Sequence, residues 1–326
     1  MRFSISTLLS QPGGRSERTI FGEAVEQVQL AESLGFHSAW FTEQHFNDFG
    51  ISPDPLAFAA HLAGVTKTIR LGTGVVVLSI HNPIVIAERA ALVDQLSSGR
   101  LDFGIGKGHP RQKFEAFNIR PDENEKRFYE SHDIIKEAWM EPEINFEGEF
   151  FKAKKIRLVP HPIQSPHPPL WIATFGNPDV ISFAAQNEYP LLHSSSGDGL
   201  KKNLDRYSRE FIGSNIPVHG LNRMIYVCDS KTQAWEELQA PARWYVENNP
   251  GRADIIPSYD LAVSELIHKL GIIGSPEEVV EQICSLRDEH NVNSLICVFG
   301  LGGMSHEKVM ASMRLFAEKV MPEFAE

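Results

Sequence analysis

Short runs of β-branched and aromatic residues alternate along this chain with longer stretches whose apolar residues recur every three to four positions. The short runs Phe3–Thr7, Ser38–Thr42, Arg70–Leu78, Leu101–Gly106, Leu170–Thr174, Leu191–Ser194, Val218–Val227 and Ser294–Phe299 predict eight strands. Between them, Thr19–Ser33, Pro55–Val65, Ile84–Leu96, Asn124–Trp139, Asp179–Gln186, Leu200–Phe211, Thr232–Val246, Pro276–Glu289 and Glu307–Val320 predict helices. Ala24, Val28, Ala31 and Leu34 share one helix face before Gly35 closes the helix at its C′ position. Ser275-Pro276-Glu277-Glu278 supplies an N-cap serine, a first-turn proline and a capping-box glutamate. Such alternation calls for a parallel sheet of the α/β class. Eight strands, each followed by helical chain, favour closure into a (β/α)₈ TIM barrel, which routinely uses this much chain as a single domain, here 1–326.

The connection from Gly106 to Pro169, after the fourth strand, is too long for a simple loop and predicts an insertion. It holds a helix, then Ile144–Phe151 as a short hairpin, then the Pro/His-rich segments Pro160-His161-Pro162 and Pro166-His167-Pro168-Pro169. Their prolines predict extended chain packed on the barrel, with the histidines as surface loop residues.

With 42% apolar and 22% charged residues, the chain has material for one large core. A net charge of −11 argues against nonspecific nucleic-acid binding and against adhesion to anionic membranes. No run reaches the length of a membrane span, and polar-punctuated Met1–Leu9 reads as a first strand rather than a signal peptide. Cys228, Cys284 and Cys297 lack metal-type spacing and predict reduced thiols in a cytoplasmic protein.

In a parallel barrel, functional groups collect where the strands end, at the carboxyl face. The second strand runs into Glu43-Gln44-His45-Phe46. An imidazole just past a strand end suits proton transfer near neutral pH, or it bonds locally to loop backbone. Alternation puts Glu43 and His45 on one side, but with His37 they make no ligand motif, and no metal is expected. Gly72 and Gly74 interrupt the third strand and mark either a tight corner or the close approach of a flat ring. The fourth strand ends in Gly104-Ile105-Gly106-Lys107-Gly108-His109-Pro110, a poor dinucleotide fingerprint without a third glycine or a following helix. It reads as a floor of small residues ending in a basic group for a phosphorylated cofactor, or Lys107 is a solvated loop lysine. After the fifth strand, Thr174-Phe175-Gly176-Asn177-Pro178-Asp179 opens a helix whose amides suit a phosphate, or which is simply capped by Asn177. His193-Ser194-Ser195-Ser196 at the sixth strand end offers polar contacts to a ligand, or faces solvent.

These stretches resemble the bacterial luciferase family of flavin-dependent monooxygenases, particularly its catalytic alpha subunit. Gly35–Gly50 is similar to the family's second strand and following loop, and Leu92–Gly108 to its most characteristic stretch. Gly274–Glu278, Met310–Phe316 and Val320–Pro322 match near the end. The resemblance implies FMNH₂, supplied by a separate NAD(P)H:flavin reductase and bound at the carboxyl face. It implies that O₂, through a C4a-(hydro)peroxyflavin, oxidises a small organic substrate such as an aldehyde, a ketone or a natural-product intermediate. It puts Gly74 and Val75 at a non-prolyl cis peptide against the ring. Lys107 and Arg127, with Gly108 alongside, fall at the phosphate, and Thr174, Phe175 and Gly176 wrap both. Gly106 stands in place of a cysteine, which implies more room over the ring. Gln44 replaces the first of two adjacent histidines, the family's presumed base, and His45 is the second. Glutamine donates a hydrogen bond but is no base near pH 7, so His45, assisted by Gln44, is the expected catalytic group.

Phe46, His193 and Ser194 are expected to line a dry substrate pocket. Asp94 and Arg100 read as a structural charged pair or as helix-end contacts. The small-residue faces of Pro55–Val65 and Ile84–Leu96 imply a homodimer, and Asn248–Leu261 implies a smaller lid than the family's mobile loop. Two other readings stand beside this one: hydride transfer with the deazaflavin F420, and a non-catalytic flavin-binding accessory subunit.

Overall fold

Strands form where the β-branched and aromatic runs predict them, in a computed structural model that describes residues 1–108, 111–249 and 259–325. They are β1 (Arg2–Thr7), β2 (Ser38–Phe41), β3 (Arg70–Thr73), β4 (Val76–Val77), β5 (Leu101–Gly106), β6 (Ile144–Glu147), β7 (Lys152–Ile156), β8 (Leu170–Thr174), β9 (Leu191–His193), β10 (Gly220–Val227), β11 (Gly271–Gly274) and β12 (Ser294–Val298). The helices are α1 (Glu17–Ser33), α2 (Pro55–Val65), α3 (Pro83–Leu96), α4 (Arg111–Ala116), α5 (Asn124–Met140), α6 (Pro178–Gln186), α7 (Gly197–Glu210), α8 (Lys231–Asn248), α9 (Tyr259–Leu270), α10 (Pro276–His290) and α11 (His306–Leu315). Pairing runs β1-β2-β3-β5-β8-β9-β10-β12, and β12 returns to β1, so eight parallel strands close the barrel. β4 resumes the third strand beyond Gly74–Val75 and pairs with β5.

Local chemistry sets the helix ends. Gly35 follows α1 with φ +82°, and Ser275 and Glu278 form the reciprocal capping box of α10. The sequence does not predict the short β11, which pairs in parallel beside Met224–Val227 of β10: Gly-Ile-Ile-Gly follows α9 with no turn signal between them. The hairpin of the insertion runs from Ile144 to Ile156, longer than the predicted Ile144–Phe151. Its turn is gripped by Glu130 of α5, whose carboxylate accepts the backbone N–H groups of Glu149, Phe150 and Phe151. His109, Pro110 and most of Asn248–Leu261 lie outside the described residues.

Strand alternation sorts side chains into two layers. One set packs outward on the helices: Phe3 meets Phe316 at 5.2 Å, Phe41 meets Phe58 of α2 at 5.1 Å, and Phe103 meets Trp139 of α5 at 5.3 Å. The other set points inward and is partly polar. At the amino end, Ser4, Ser38, Trp40, Asp102, Trp171 and Ile296 surround a small cavity, with Arg2 and His37 at its edge. His37 is thus at the opposite end of the barrel from His45.

Arg100 and Asp94 make helix-end and loop contacts instead of pairing with each other. The Arg100 guanidinium donates to the carbonyls of Ala63 and Thr66 at the end of α2, and to those of Ile69 and Ser97. Buried Asp94 accepts from the backbone N–H groups of Ile163 and Gln164 and so fastens the proline-rich segment to α3.

Candidate active site

At the carboxyl end of β2, Glu43 turns away from solvent and collects three donors. Its side chain is 0% exposed, and Nε2 of both His45 and His81 lies against the same oxygen, Oε1, at 2.8 and 2.9 Å. The Val77 backbone N–H donates to Oε2 at 2.9 Å. Burial alone would raise the Glu43 carboxyl, but the hydrogen bonds from the two imidazoles and Val77 outweigh it and hold the group below its ordinary range. His81 arrives here because the third strand turns through the 3₁₀ segment Leu78–Ile80 before Asn82 caps α3. Sequence reasoning passed over His81, although it too lies just past a strand end. His37, grouped with Glu43 and His45 from the sequence, takes no part. The three ligand atoms lie within 4.8 Å of one another. Two ligands on one tetrahedral zinc sit roughly 3.3 Å apart, so separations of 2.8–2.9 Å are those of hydrogen bonds.

Aromatic rings cover His45. Phe117, just beyond α4, meets it edge-on at 5.1 Å, and Phe46 lies 5.6 Å from each ring. Phe46 is 73% exposed with φ +61°, and Phe175, on the loop after β8, is 84% exposed. Gln44 donates its backbone N–H to Ser52, and its side chain packs over Gly50, where a Cβ would come within 2.7 Å of it.

The glycines divide into two kinds. Gly72 is required by the Trp40 ring, 2.3 Å from where its Cβ would stand. Gly74 is different: its Cβ would find nothing nearer than 3.7 Å, and the Gly74–Val75 peptide is cis. On β5 and beyond, the space is already used by the third strand. A Cβ on Gly104 would strike the Thr73 carbonyl at 2.0 Å, one on Gly106 would meet Val75 Cγ2 at 2.9 Å, and one on Gly108 would meet Val77 Cγ1 at 2.4 Å. The extra room expected at Gly106 is therefore occupied by Val75.

Lys107 and Arg127 both engage acids from the start of α5. Lys107 pairs with Glu125 at 2.9 Å and Arg127 with Glu123 at 3.0 Å, and the Arg127 guanidinium stacks 4.5 Å over Phe150. At α6, the Asn177 side chain accepts the amides of Asp179 and Val180, so these N–H groups are already spent on the cap. The Gly176 amide likewise donates to Thr174 Oγ1. An anion here would depend on side-chain cations more than on the helix start.

His193 is not where the sequence suggested. Its neighbour Leu192 packs against Gly104 and Gly220 inside the barrel, so alternation turns His193 toward the helices, beside His219 and α7. Neither ring nitrogen finds a partner among the described residues. Burial, with His219 and Arg223 nearby, pushes its pKa down to about 3. Half-buried Ser194 has the inward parity and stays at the rim.

A family model described as luciferase-like monooxygenase matches residues 1–290. The oxygenase component of flavin-dependent trigonelline monooxygenase from Acinetobacter baylyi is 29% identical across 100% of this chain and 96% of its own. The alkanal monooxygenase alpha chain of the Kryptophanaron alfredi symbiont is 25% identical across 100% and 99%. A crystal structure of a monooxygenase from Streptomyces bottropensis has a TM-score of 0.90 at 28% identity, with both chains covered in full.

Proposed function

The chain belongs to the luciferase-like monooxygenase family, and from that premise we propose that it is the oxygenase component of a two-component system. In this reading a separate NAD(P)H:flavin reductase supplies FMNH₂, and one oxygen atom of O₂ passes to a small organic substrate. The observation that carries the reading is the open backbone at Gly74, set among neighbouring strand ends that also bear His45, Lys107 and exposed Phe175. A flat ring with an anionic tail fits this rim. Gly74 leaves contact distance for the ring, the buried Thr42 hydroxyl is without a partner among the described residues, and Lys107 and Arg127 carry positive charge.

Bound reduced flavin supplies the electrons that activate O₂. Lys107 and Arg127, beside Gly108, would hold the phosphate in exchange for their carboxylates. Gly74, Val75, Gly106, Phe175 and Gly176 would border the ring, while Thr174, which shares the outward side of its register partner His193, would brace their loop by accepting the Gly176 N–H. Phe46 and Phe117 exclude water around His45. His45 holds or returns a proton as oxygen is transferred, Gln44 donates a hydrogen bond, and Ser194 offers a polar contact to the substrate. Two copies pair through α2 and α3, whose Val65, Val85, Leu92 and Leu96 are exposed. Three free cysteines support a reducing, cytoplasmic setting. Among the described residues, no helix is long and apolar enough to cross a membrane.

The test supplies FMN, NADH and a flavin reductase under ¹⁸O₂ and follows oxygen uptake and label in the product. The panel includes trigonelline and alkanals, after the relatives, and cyclic ketones. The expected result is preference for FMN over F420 and one labelled oxygen in one substrate class. Tight F420 binding without oxygen uptake would replace this reading with hydride transfer. Flavin binding with no substrate oxidised would leave an accessory subunit.

A further inference from the structure

On the reading that this rim carries the chemistry, we propose that Glu43 is a positioning residue that joins His45 and His81 into one proton-holding unit. It fixes both rings with Nε2–H toward its own Oε1 and with Nδ1 as the acceptor.

An ionised carboxylate only accepts hydrogen bonds, so each Nε2 set against Oε1 must carry its hydrogen. In a neutral imidazole the lone pair is then on Nδ1. Glu43 has no lysine or arginine within ion-pair distance among the described residues, and its side chain is fully shielded from water. Its charge is met by the two imidazole N–H groups and the Val77 amide alone. A proton arriving at Nδ1 of either ring produces an imidazolium facing that carboxylate, while Glu43 itself stays ionised. The rings differ in access. The His45 side chain is 8% exposed under its aromatic cover and that of His81 is 22% exposed. In this proposal covered His45 serves the reaction, and the more exposed His81 exchanges with solvent. When His45 gives up its proton, the bond broken is Nδ1–H, and the ring returns to the neutral Nε2–H form.

The test is long-range ¹H–¹⁵N correlation of the protein labelled with ¹⁵N-histidine, with His45→Asn and His81→Asn used to assign the two rings. Both rings are expected in the Nε2–H form in the unsubstituted protein. In Glu43→Gln, at least one is expected to change to the Nδ1–H form or to exchange rapidly between forms. An Nδ1–H signature for either ring in the unsubstituted protein overturns the proposal, whether or not Glu43→Gln folds. Unchanged signatures in folded Glu43→Gln overturn it too. FMN binding by the unsubstituted protein is titrated alongside, so that failure of the flavin reading is seen separately from failure of the tautomer lock.

Discussion

Val75 and Gly106 share one volume: a Cβ on Gly106 would come within 2.9 Å of Val75 Cγ2. Val75 is β-branched and follows Gly74 directly, so pressure on it moves the backbone on which the flavin ring is proposed to lie. Gly106→Ala is expected to weaken FMN binding about tenfold and to cost about 1–2 kcal/mol of stability through overpacking. Adding Val75→Ala should restore most of both losses. Flavin titration and urea denaturation of the four-member cycle measure the coupling, and strictly additive losses would show that the two residues do not compete for space.

The acids paired with Lys107 and Arg127 set the sign of a second prediction. Lys107→Ala should weaken FMN several-fold and leave riboflavin, which lacks the phosphate, unchanged. Glu125→Gln removes the carboxylate that the phosphate is proposed to displace, and it should tighten FMN relative to riboflavin. Parallel titrations by flavin fluorescence decide the matter. Equal effects on both ligands would move the phosphate elsewhere.

Arg100 is expected to matter for stability. Its guanidinium satisfies carbonyls at the end of α2 and in the turn leading to β3, as well as the Thr66 hydroxyl. Arg100→Ala leaves several of these groups without partners and should cost about 3 kcal/mol, with flavin affinity per folded molecule unchanged. Lysine, lacking the planar fork, should rescue little of it. Urea midpoints test both substitutions.

Acid should destabilise the fold through His193 and His219. Burial pushes their pKa values from the ordinary 6.5 down to about 3 and about 4. Unfolded histidine takes up a proton below about 6.5 while the folded ring does not, so the stability present above that pH is lost as pH falls toward the folded values. The slope is at most about 1.4 kcal/mol per pH unit for each ring. Replacing His193 with phenylalanine should flatten the curve of stability against pH between 6.5 and 4. An unchanged slope would mean that His193 is already protonated in the fold.

The barrel was legible because its strands are short β-branched runs and its helices carry their own caps, as Ser275 and Glu278 illustrate. Position along the strands was legible too: His45, Gly74, Lys107 and Phe175 all lie at or just beyond strand ends on the carboxyl side. What could not be read was which way a residue points and what it meets across the sheet. His193 follows Leu192, and register with Ala173 and Gly220 decides that Leu192 is the inward member of the pair. His81 joins Glu43 only through the turn after β4, and Gly106 is explained only by a side chain from the neighbouring strand. These are contacts between distant stretches of chain, and no local pattern encodes them.

One turn of α5 separates Arg127, stacked on Phe150, from Glu130, which clasps the backbone of the same hairpin tip. The insertion is therefore wired to the cation rather than merely draped across the barrel. Any anion that draws Arg127 away from its aromatic platform uncovers Phe150, while the Glu130 clasp keeps the tip in place. Moving Arg127 off Phe150 would thus change the packing of one ring of the hairpin and leave its backbone anchored.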